Sequence, residues 1–142
     1  MRSLVIREET FGPEHPRTAI TLNRLGLLYD LQEKYAEAEP LLRRALQIWE
    51  KTLGPEHPQL LDSLNPLAII YERQEKYAET EPLYLQMIAI QKRMLGSEHP
   101  EVVTVLDKYA SLLHKMGKEA EATVYAHAAD AIRSKRTEQE NT

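Results

Sequence analysis

The sequence predicts an all-α protein built as a row of stacked helical hairpins. Three observations carry that prediction. A connector occurs three times, as Phe11-Gly12-Pro13-Glu14-His15-Pro16, Leu53-Gly54-Pro55-Glu56-His57-Pro58 and Leu95-Gly96-Ser97-Glu98-His99-Pro100, with 42 residues from each copy to the next. A fixed period of roughly 20 to 50 residues marks a repeat array. Between the copies lie two amphipathic stretches, each long enough for a helix, while five glycines and few β-branched runs disfavour a sheet.

Composition narrows the function classes. A chain of 142 residues is one compact unit by length. The net charge of −4 counts against non-specific nucleic-acid binding, which needs a basic surface. No apolar run approaches the ~20 residues that span a bilayer. Arg2, Arg7, Glu8 and Glu9 interrupt the apolar residues of the N-terminus, so there is no signal-peptide pattern. Cysteine is absent, which excludes disulfides and thiolate chemistry. The expectation is a cytoplasmic protein with neither nucleic acid nor membrane as a partner.

Residues 1–11 carry Leu4, Val5, Ile6 and Phe11, which a shift of 42 places on Leu46, Gln47, Ile48 and Leu53. The chain therefore opens on the C-terminal helix of a truncated preceding repeat. Either it is a fragment of a longer array, or another subunit supplies the missing surface. An apolar face at 1–11 gives a route to self-association.

The first repeat spans 12–53. Its helix A runs from Pro16 to about Gln32, with Leu22, Leu25, Gly26 and Tyr29 as the buried stripe. Pro16 suits the first helical position, where its missing N–H has no partner to lose. Glu33-Lys34 makes the turn. Helix B runs from Tyr35 to Leu53 with Ala38, Leu41, Leu42, Ala45, Leu46 and Ile48 inward. Pro40 lies near its start, where N–H groups are orphaned in any case. Gly54 ends it as a left-handed C-terminal residue.

The second repeat, 54–95, copies this plan with Leu64, Leu67, Ala68 and Tyr71, and Gln74 to Glu79 repeats Gln32 to Glu37 unchanged. Thr80 and Met87 replace Ala38 and Ala45. Pro66 falls inside helix A, removes the bond to residue 62 and is expected to bend it. The third repeat, 96–134, has Leu106, Tyr109, Ala110 and Leu113 in helix A and Lys115 to Lys118 as its turn. Its helix B places Glu119, Ala126, Asp130 and Thr137 where the other repeats carry larger apolar residues, which reads as a solvated C-terminal cap. Beyond Ile132 the apolar stripe stops, and 135–142 is expected to be a disordered tail.

Leu25-Gly26-x-x-Tyr29 followed by Ala38-x-x-x-Leu42 resembles the tetratricopeptide repeat core, with Leu22 where that pattern often has tryptophan. The 42-residue period and the Leu-Gly-x-x-His-Pro connector are similar to the kinesin light chain branch of that family. The resemblance covers residues 3 to about 134 in three in-phase copies. It implies a right-handed α-solenoid of three repeats plus a leading helix. It also implies a concave groove lined by the A helices, with the B helices on the outer face. The heptad region through which a kinesin light chain binds its motor has no counterpart in the sequence.

Positions spaced i, i+3, i+7, i+10 on each A helix form a stripe away from the buried one. It reads Ile20-Asn23-Leu27-Asp30, then Asp62-Asn65-Ile69-Glu72, then Thr104-Asp107-Ser111-His114. Asn23, Asn65 and Asp107 stand at one register. An asparagine offers donor and acceptor together, so such a ladder could bond the backbone of an extended peptide. Leu27 and Ile69 would give it an apolar floor, Ser111 continues the stripe, and Arg24, Arg73, Lys108 and Lys115 lie near the edge for an acidic ligand. The plainer alternative is that Asn23 and Asn65 cap or bond neighbouring helices. A clamp for a C-terminal carboxylate needs cations in the groove, where this chain has Asn23, Leu27 and Asp107.

His15, His57 and His99 lie one repeat apart, on the order of 10 Å or more between backbones. That is too far to share a zinc ion with bonds of about 2 Å. Capping of helix A just before its proline explains them better. No phosphate-binding glycine loop, Gly-x-Ser-x-Gly elbow or His-Glu-x-x-His occurs, and glutamates beside lysines read as solvated surface. The sequence therefore gives no catalytic residue, no metal site and no cofactor. Trp49, the one tryptophan, stands where the other repeats have Gln91 and Arg133, and is either a partly exposed contact or packed against the connector.

The leading expectation is a non-enzymatic scaffold that binds a peptide or protein segment in the groove. The alternative is a terminal structural, oligomerisation or sensor segment of a larger multidomain regulatory protein.

Overall fold

The computed structural model describes residues 15–140, and the expectation of a helix over 1–11 lies outside them. Among the described residues every regular element is helical. The chain divides into two compact units, Met1–Lys76 and Tyr77–Thr142.

In the first unit, α1 (Pro16–Leu31) and α2 (Tyr35–Leu53) form a hairpin, and a 3-10 turn (Pro58–Leu60) leads into α3 (Leu61–Arg73), which packs on α1 and α2. His15 starts α1 by accepting the Arg17 N–H on Nδ1 at 3.1 Å, and Pro16 occupies the first turn. The core is Ala19, Leu22 and Gly26 from α1, then Leu42, Leu46 and Trp49 from α2, then Leu64, Leu67 and Ile70 from α3. Gly26 is required by close approach. A Cβ there would meet Cγ of the buried Leu42 at 2.7 Å.

The expected helix A of the second repeat is divided. Its first residues form the 3-10 turn, and the α-helix begins only at Leu61, with the buried Pro66 inside it. Pro66 has no N–H to return to the carbonyl four residues back.

In the second unit, α4 (Tyr77–Leu95), α5 (Pro100–Lys115) and α6 (Glu119–Glu140) pack in sequence, with α5 against both others. Met87, Ile88 and Ile90 of α4 and Leu106, Leu112 and Leu113 of α5 are buried. From α6 only Ala122 and Ala129 are fully inside, as small side chains on a helix that covers one face. Tyr109 packs edge-on to Tyr125, with ring centroids 4.6 Å apart.

Of the residues expected as a disordered tail, 135–140 are described and continue α6. Polar contacts hold the helix where the apolar stripe has stopped. Lys135 Nζ lies 2.8 Å from Glu98 Oε1, Arg133 pairs with Asp107 and Asp130, and Thr137 Oγ bonds the Arg133 carbonyl.

Backbone conformation at the turns departs from the sequence reading in two ways. Gly54 has φ +93° and ψ 160°, so it has positive φ with an extended ψ and is not left-handed helical. That region is essentially restricted to glycine. The left-handed residues are instead Glu33 (φ 60°) and Glu75 (φ 58°), at the register of Gly117 (φ 78°). At all three the next N–H bonds a carbonyl five residues back: Lys34 to Tyr29 at 2.9 Å, Lys76 to Tyr71 at 2.8 Å and Lys118 to Leu113 at 2.8 Å. This is the Schellman closure of a helix end.

Candidate functional site

The stripe positions divide between the units. In the first unit the face belongs to α1 and α3. Ser63 Oγ on α3 donates to Asn23 Oδ1 on α1 at 2.8 Å. Asn23 is only 5% exposed and Ser63 is fully buried. Asn23 therefore does not face solvent as a peptide ladder requires; it holds α1 to α3, the plainer of its two readings. Asn65 and Ile69 on α3 are exposed, Leu27 is half-buried, and Arg24 is exposed beside them. Arg73 is turned onto Tyr35, with its guanidinium 5.4 Å from the ring centroid and a hydrogen bond to the hydroxyl. The face therefore combines the exposed Asn65 amide with the aliphatic Ile20, Leu27 and Ile69, the exposed Arg24 guanidinium, and the carboxylates of Asp30, Asp62 and Glu72.

In the second unit α5 supplies the face. Lys108 and Ser111 are exposed. Asp107 is half-buried and ion-paired with Arg133 of α6, so its carboxylate is already engaged. His114 Nδ1 is 2.6 Å from Glu119 Oε1. Two open clefts of about 490 and 340 Å³ lie at the connector end of this unit, and no stripe residue lines either.

The three connector histidines act alike. His57 Nδ1 accepts the Gln59 N–H at 3.1 Å and His99 Nδ1 accepts the Glu101 N–H at 3.2 Å, as His15 does for Arg17. These lone pairs are spent on the helix starts. Trp49 is 1% exposed and belongs to the core. Gln91, at the same register in α4, is also buried and leaves Oε1 without a partner.

Sequence reasoning missed the polar locks between a B helix and the A helix that follows it. Tyr71 Oη on α3 donates to Glu39 Oε1 on α2 at 2.9 Å, and Arg43 bonds both. Tyr109 Oη on α5 donates to Glu81 Oε2 on α4 at 2.8 Å, with Lys118 Nζ 3.2 Å from the other carboxylate oxygen. Burial, then the bond to Glu81, pushes the Tyr109 hydroxyl far above the ordinary tyrosine range. Burial raises Tyr71 as well, against the opposing pull of Arg43. The signal lay in the recurring Tyr-Ala-Glu-x-Glu-Pro-Leu of residues 35–41 and 77–83, whose second glutamate is the acceptor.

Hairpins on a 42-residue period, histidine-capped A helices and small residues at the hairpin crossing agree with two family matches. The tetratricopeptide repeat profile matches residues 18–59, and a second tetratricopeptide repeat profile matches residues 61–129.

The chain belongs to the tetratricopeptide repeat family.

Among solved structures it is similar to the nearly identical TPR-like repeats of a kinesin light chain from Podosopora anserina, at 31% identity and TM-score 0.73 over 94% of this chain and 63% of that one. A single-substitution variant of the same protein aligns at 30% identity and TM-score 0.74, over 95% of this chain and 64% of that one. BtubC (BKLC) from P. vanneervenii shares the fold at TM-score 0.77 and 17% identity, over 94% of this chain and 54% of that one. The chain thus spans less than two thirds of each of these neighbours. No curated protein sequence matches it. Tetratricopeptide repeats in general mediate protein–protein interaction and are typically non-enzymatic. No described helix is long and apolar enough to cross a membrane.

Proposed function

We propose that this tetratricopeptide repeat chain is a non-enzymatic interaction module that takes a peptide or protein segment on the faces of its A helices. The observation that carries the reading is the α1–α3 face of the first unit. Ile69 is 43% exposed there, on a helix whose Leu64, Leu67 and Ile70 are buried, with Asn65 exposed one turn away. Isolated exposed aliphatics are common on any surface. An exposed aliphatic beside an exposed amide, on a face fixed from beneath by the Ser63–Asn23 bond, is what recognition of an extended segment uses. Asn65 addresses the ligand backbone, Leu27 and Ile69 take an apolar side chain, and Arg24 stands at the rim. Asn23 positions α1 against α3. Within the second unit, Lys108 and Ser111 of α5 are exposed polar groups for a ligand on that unit's own A-helix face, and Asp107 contributes through its pair with Arg133.

The test is selection of peptides from a random library on the immobilised chain, followed by amide chemical-shift mapping of the winners. Perturbation concentrated at Leu27, Asn65 and Ile69 is the expected result. Winners that perturb only residues outside the A helices overturn the reading. The alternative, a structural segment of a larger regulatory protein, is supported by Leu28 and Leu31, which are 51% and 82% exposed near the C-terminus of α1.

A further inference from the structure

The two clefts of the second unit, of about 490 and 340 Å³, lie on either side of one side chain, since Arg136 of α6 lines both. The larger is walled by Leu95 to His99 of the α4–α5 connector. The smaller is walled by Pro100 and Val103 of α5 and by Arg133 and Thr137 of α6. Lys135, beside Arg136 in sequence, bonds Glu98 at 2.8 Å and so pins α6 to the connector. That pair also engages Glu98, the one carboxylate lining either cleft. Arg133 is taken by Asp107 and Asp130. Among the described residues the exposed Arg136 guanidinium has no partner.

Further donors line the larger cleft beside that guanidinium. The His99 N–H closes a turn on the Gly96 carbonyl at 3.3 Å, which leaves Ser97 and Glu98 at the centre of the turn. Neither the N–H nor the hydroxyl of Ser97 has a partner among the described residues. His99 Nδ1 accepts the Glu101 N–H, so in the neutral ring Nε2 carries the proton and is a donor. The start of α5 is not the source of these donors. The Val102 and Val103 N–H groups turn back to the His99 carbonyl, at 3.0 and 3.3 Å. Ser97 and Arg136 are also peculiar to the third repeat. Pro13 and Pro55 hold the register of Ser97, and Thr52 and Met94 hold that of Arg136. The periodic pattern that builds the hairpins therefore requires neither residue.

We propose that the two clefts form one binding site for a phosphomonoester. Its phosphoryl oxygens accept from the Arg136 guanidinium and from the N–H and hydroxyl of Ser97. The esterified group lies against Pro100 and the buried Val103. A guanidinium fork, a hydroxyl and a backbone N–H offer more donors than a carboxylate's two oxygens take up, whereas a phosphoryl group presents three. Each cleft alone falls within the roughly 300–1,000 Å³ over which organic ligands are held, so the site has room for more than a bare ion. The site is distinct from the A-helix stripe, none of whose residues line the clefts. The phosphoryl group arrives either on a small molecule or on a phosphorylated side chain of another protein.

The test titrates phenyl phosphate into the full chain and follows the backbone amides and the arginine Nε–H groups by nuclear magnetic resonance. Saturable shifts are expected at Ser97 and Arg136. Arg136→Gln should weaken binding about tenfold, as loss of a charge-assisted bond does. Ser97→Pro removes both serine donors and should weaken it about as much. The turn accepts proline there, because Gly54 ahead of Pro55 (φ 93°) and Gly96 ahead of Ser97 (φ 90°) share a backbone conformation. Lys51→Gln, at an exposed position of the first unit, removes a positive charge outside the clefts and should leave the affinity unchanged. A phosphoserine peptide that binds more tightly than phenyl phosphate supports a protein source, and the reverse order supports a small-molecule source. Shifts that stay linear in ligand concentration would mean a loose ion atmosphere only and overturn the proposal. So would an affinity indifferent to Arg136→Gln, or benzoate binding as tightly as phenyl phosphate.

Discussion

The Tyr109 hydroxyl on α5 donates to Glu81 on α4 at 2.8 Å, and it does so from a register at which the two earlier repeats carry Leu25 and Leu67. In the first unit the hydroxyl that reaches Glu39 is Tyr71, whose counterpart in the third repeat is Leu113. The acceptor keeps the period, and the donor moves by one helical turn. The lock is therefore a property of how a B helix packs on the next A helix, met by whichever tyrosine comes within reach.

Stability should fall at alkaline pH through Tyr109. Its ionisation is held well above the ordinary tyrosine range in the fold, chiefly by burial. The unfolded chain ionises near pH ~10. The contribution is therefore complete below about pH 10 and is lost as pH rises from there toward the folded value. Urea midpoints measured from pH 8 to 11 should fall less steeply for Tyr109→Phe than for the parent. At pH 7 the same change should cost about 1–2 kcal/mol for the missing bond to Glu81. Equal slopes in the two proteins would remove Tyr109 from the account.

Glu33→Gly and Glu75→Gly should each stabilise the protein. A left-handed conformation costs an L-residue about 1–2 kcal/mol. Glycine gives back about 0.5–1 kcal/mol through its freer unfolded chain, so a net gain of about 0.5–1 kcal/mol is expected. The third repeat already carries Gly117 at this register, and Gly117→Glu should lower the thermal midpoint.

Loss of a histidine cap should show in its own helix. His99→Ala leaves the Glu101 N–H without its acceptor and should cost about 1 kcal/mol, whereas His99→Asp should restore a cap. Hydrogen exchange of the amides in the first turn of α5 reads the effect directly. Unchanged protection in the alanine variant would show the bond to be incidental.

Ser63→Ala should cost about 1–3 kcal/mol, because it strands the buried Asn23 Oδ1. Adding Asn23→Leu should recover part of that loss, since two apolar partners leave nothing unsatisfied. Strict additivity in chemical denaturation would mean the two side chains do not depend on each other.

On the binding face, Ile69→Asp should weaken a selected peptide at least tenfold and Asn65→Ala less so, while the exposed Ile69 site leaves the thermal midpoint nearly unchanged. Calorimetric titration of both variants separates the apolar contribution from the amide contribution.

The stripe of each A helix was legible in the sequence, because helical spacing alone puts positions 62, 65, 69 and 72 on one face. Spacing could not say which of those residues remain exposed. Asn23 and Asn65 share a register, yet one is buried on Ser63 and the other faces solvent. Val105 holds the register of Ser63 in the third repeat, and Thr21 in the first gives its hydroxyl to the Arg17 carbonyl, so the bond that buries Asn23 does not recur with the period.

The period, the hairpin plan and the histidine-capped helix starts were legible in the sequence itself, since they rest on neighbours a few residues apart. A proline cannot sit deep in a helix without loss, His15, His57 and His99 reach only two residues on, and Gly54 takes a conformation closed to other residues. Tertiary packing alone decided the tyrosine locks, the burial of Trp49 and of Asn23, and the continuation of α6 to Glu140 through ion pairs with the connector and α5. Each of these joins residues 26 to 40 positions apart or depends on which surfaces are covered. No local pattern encodes such distances, because they come into being only when the helices meet.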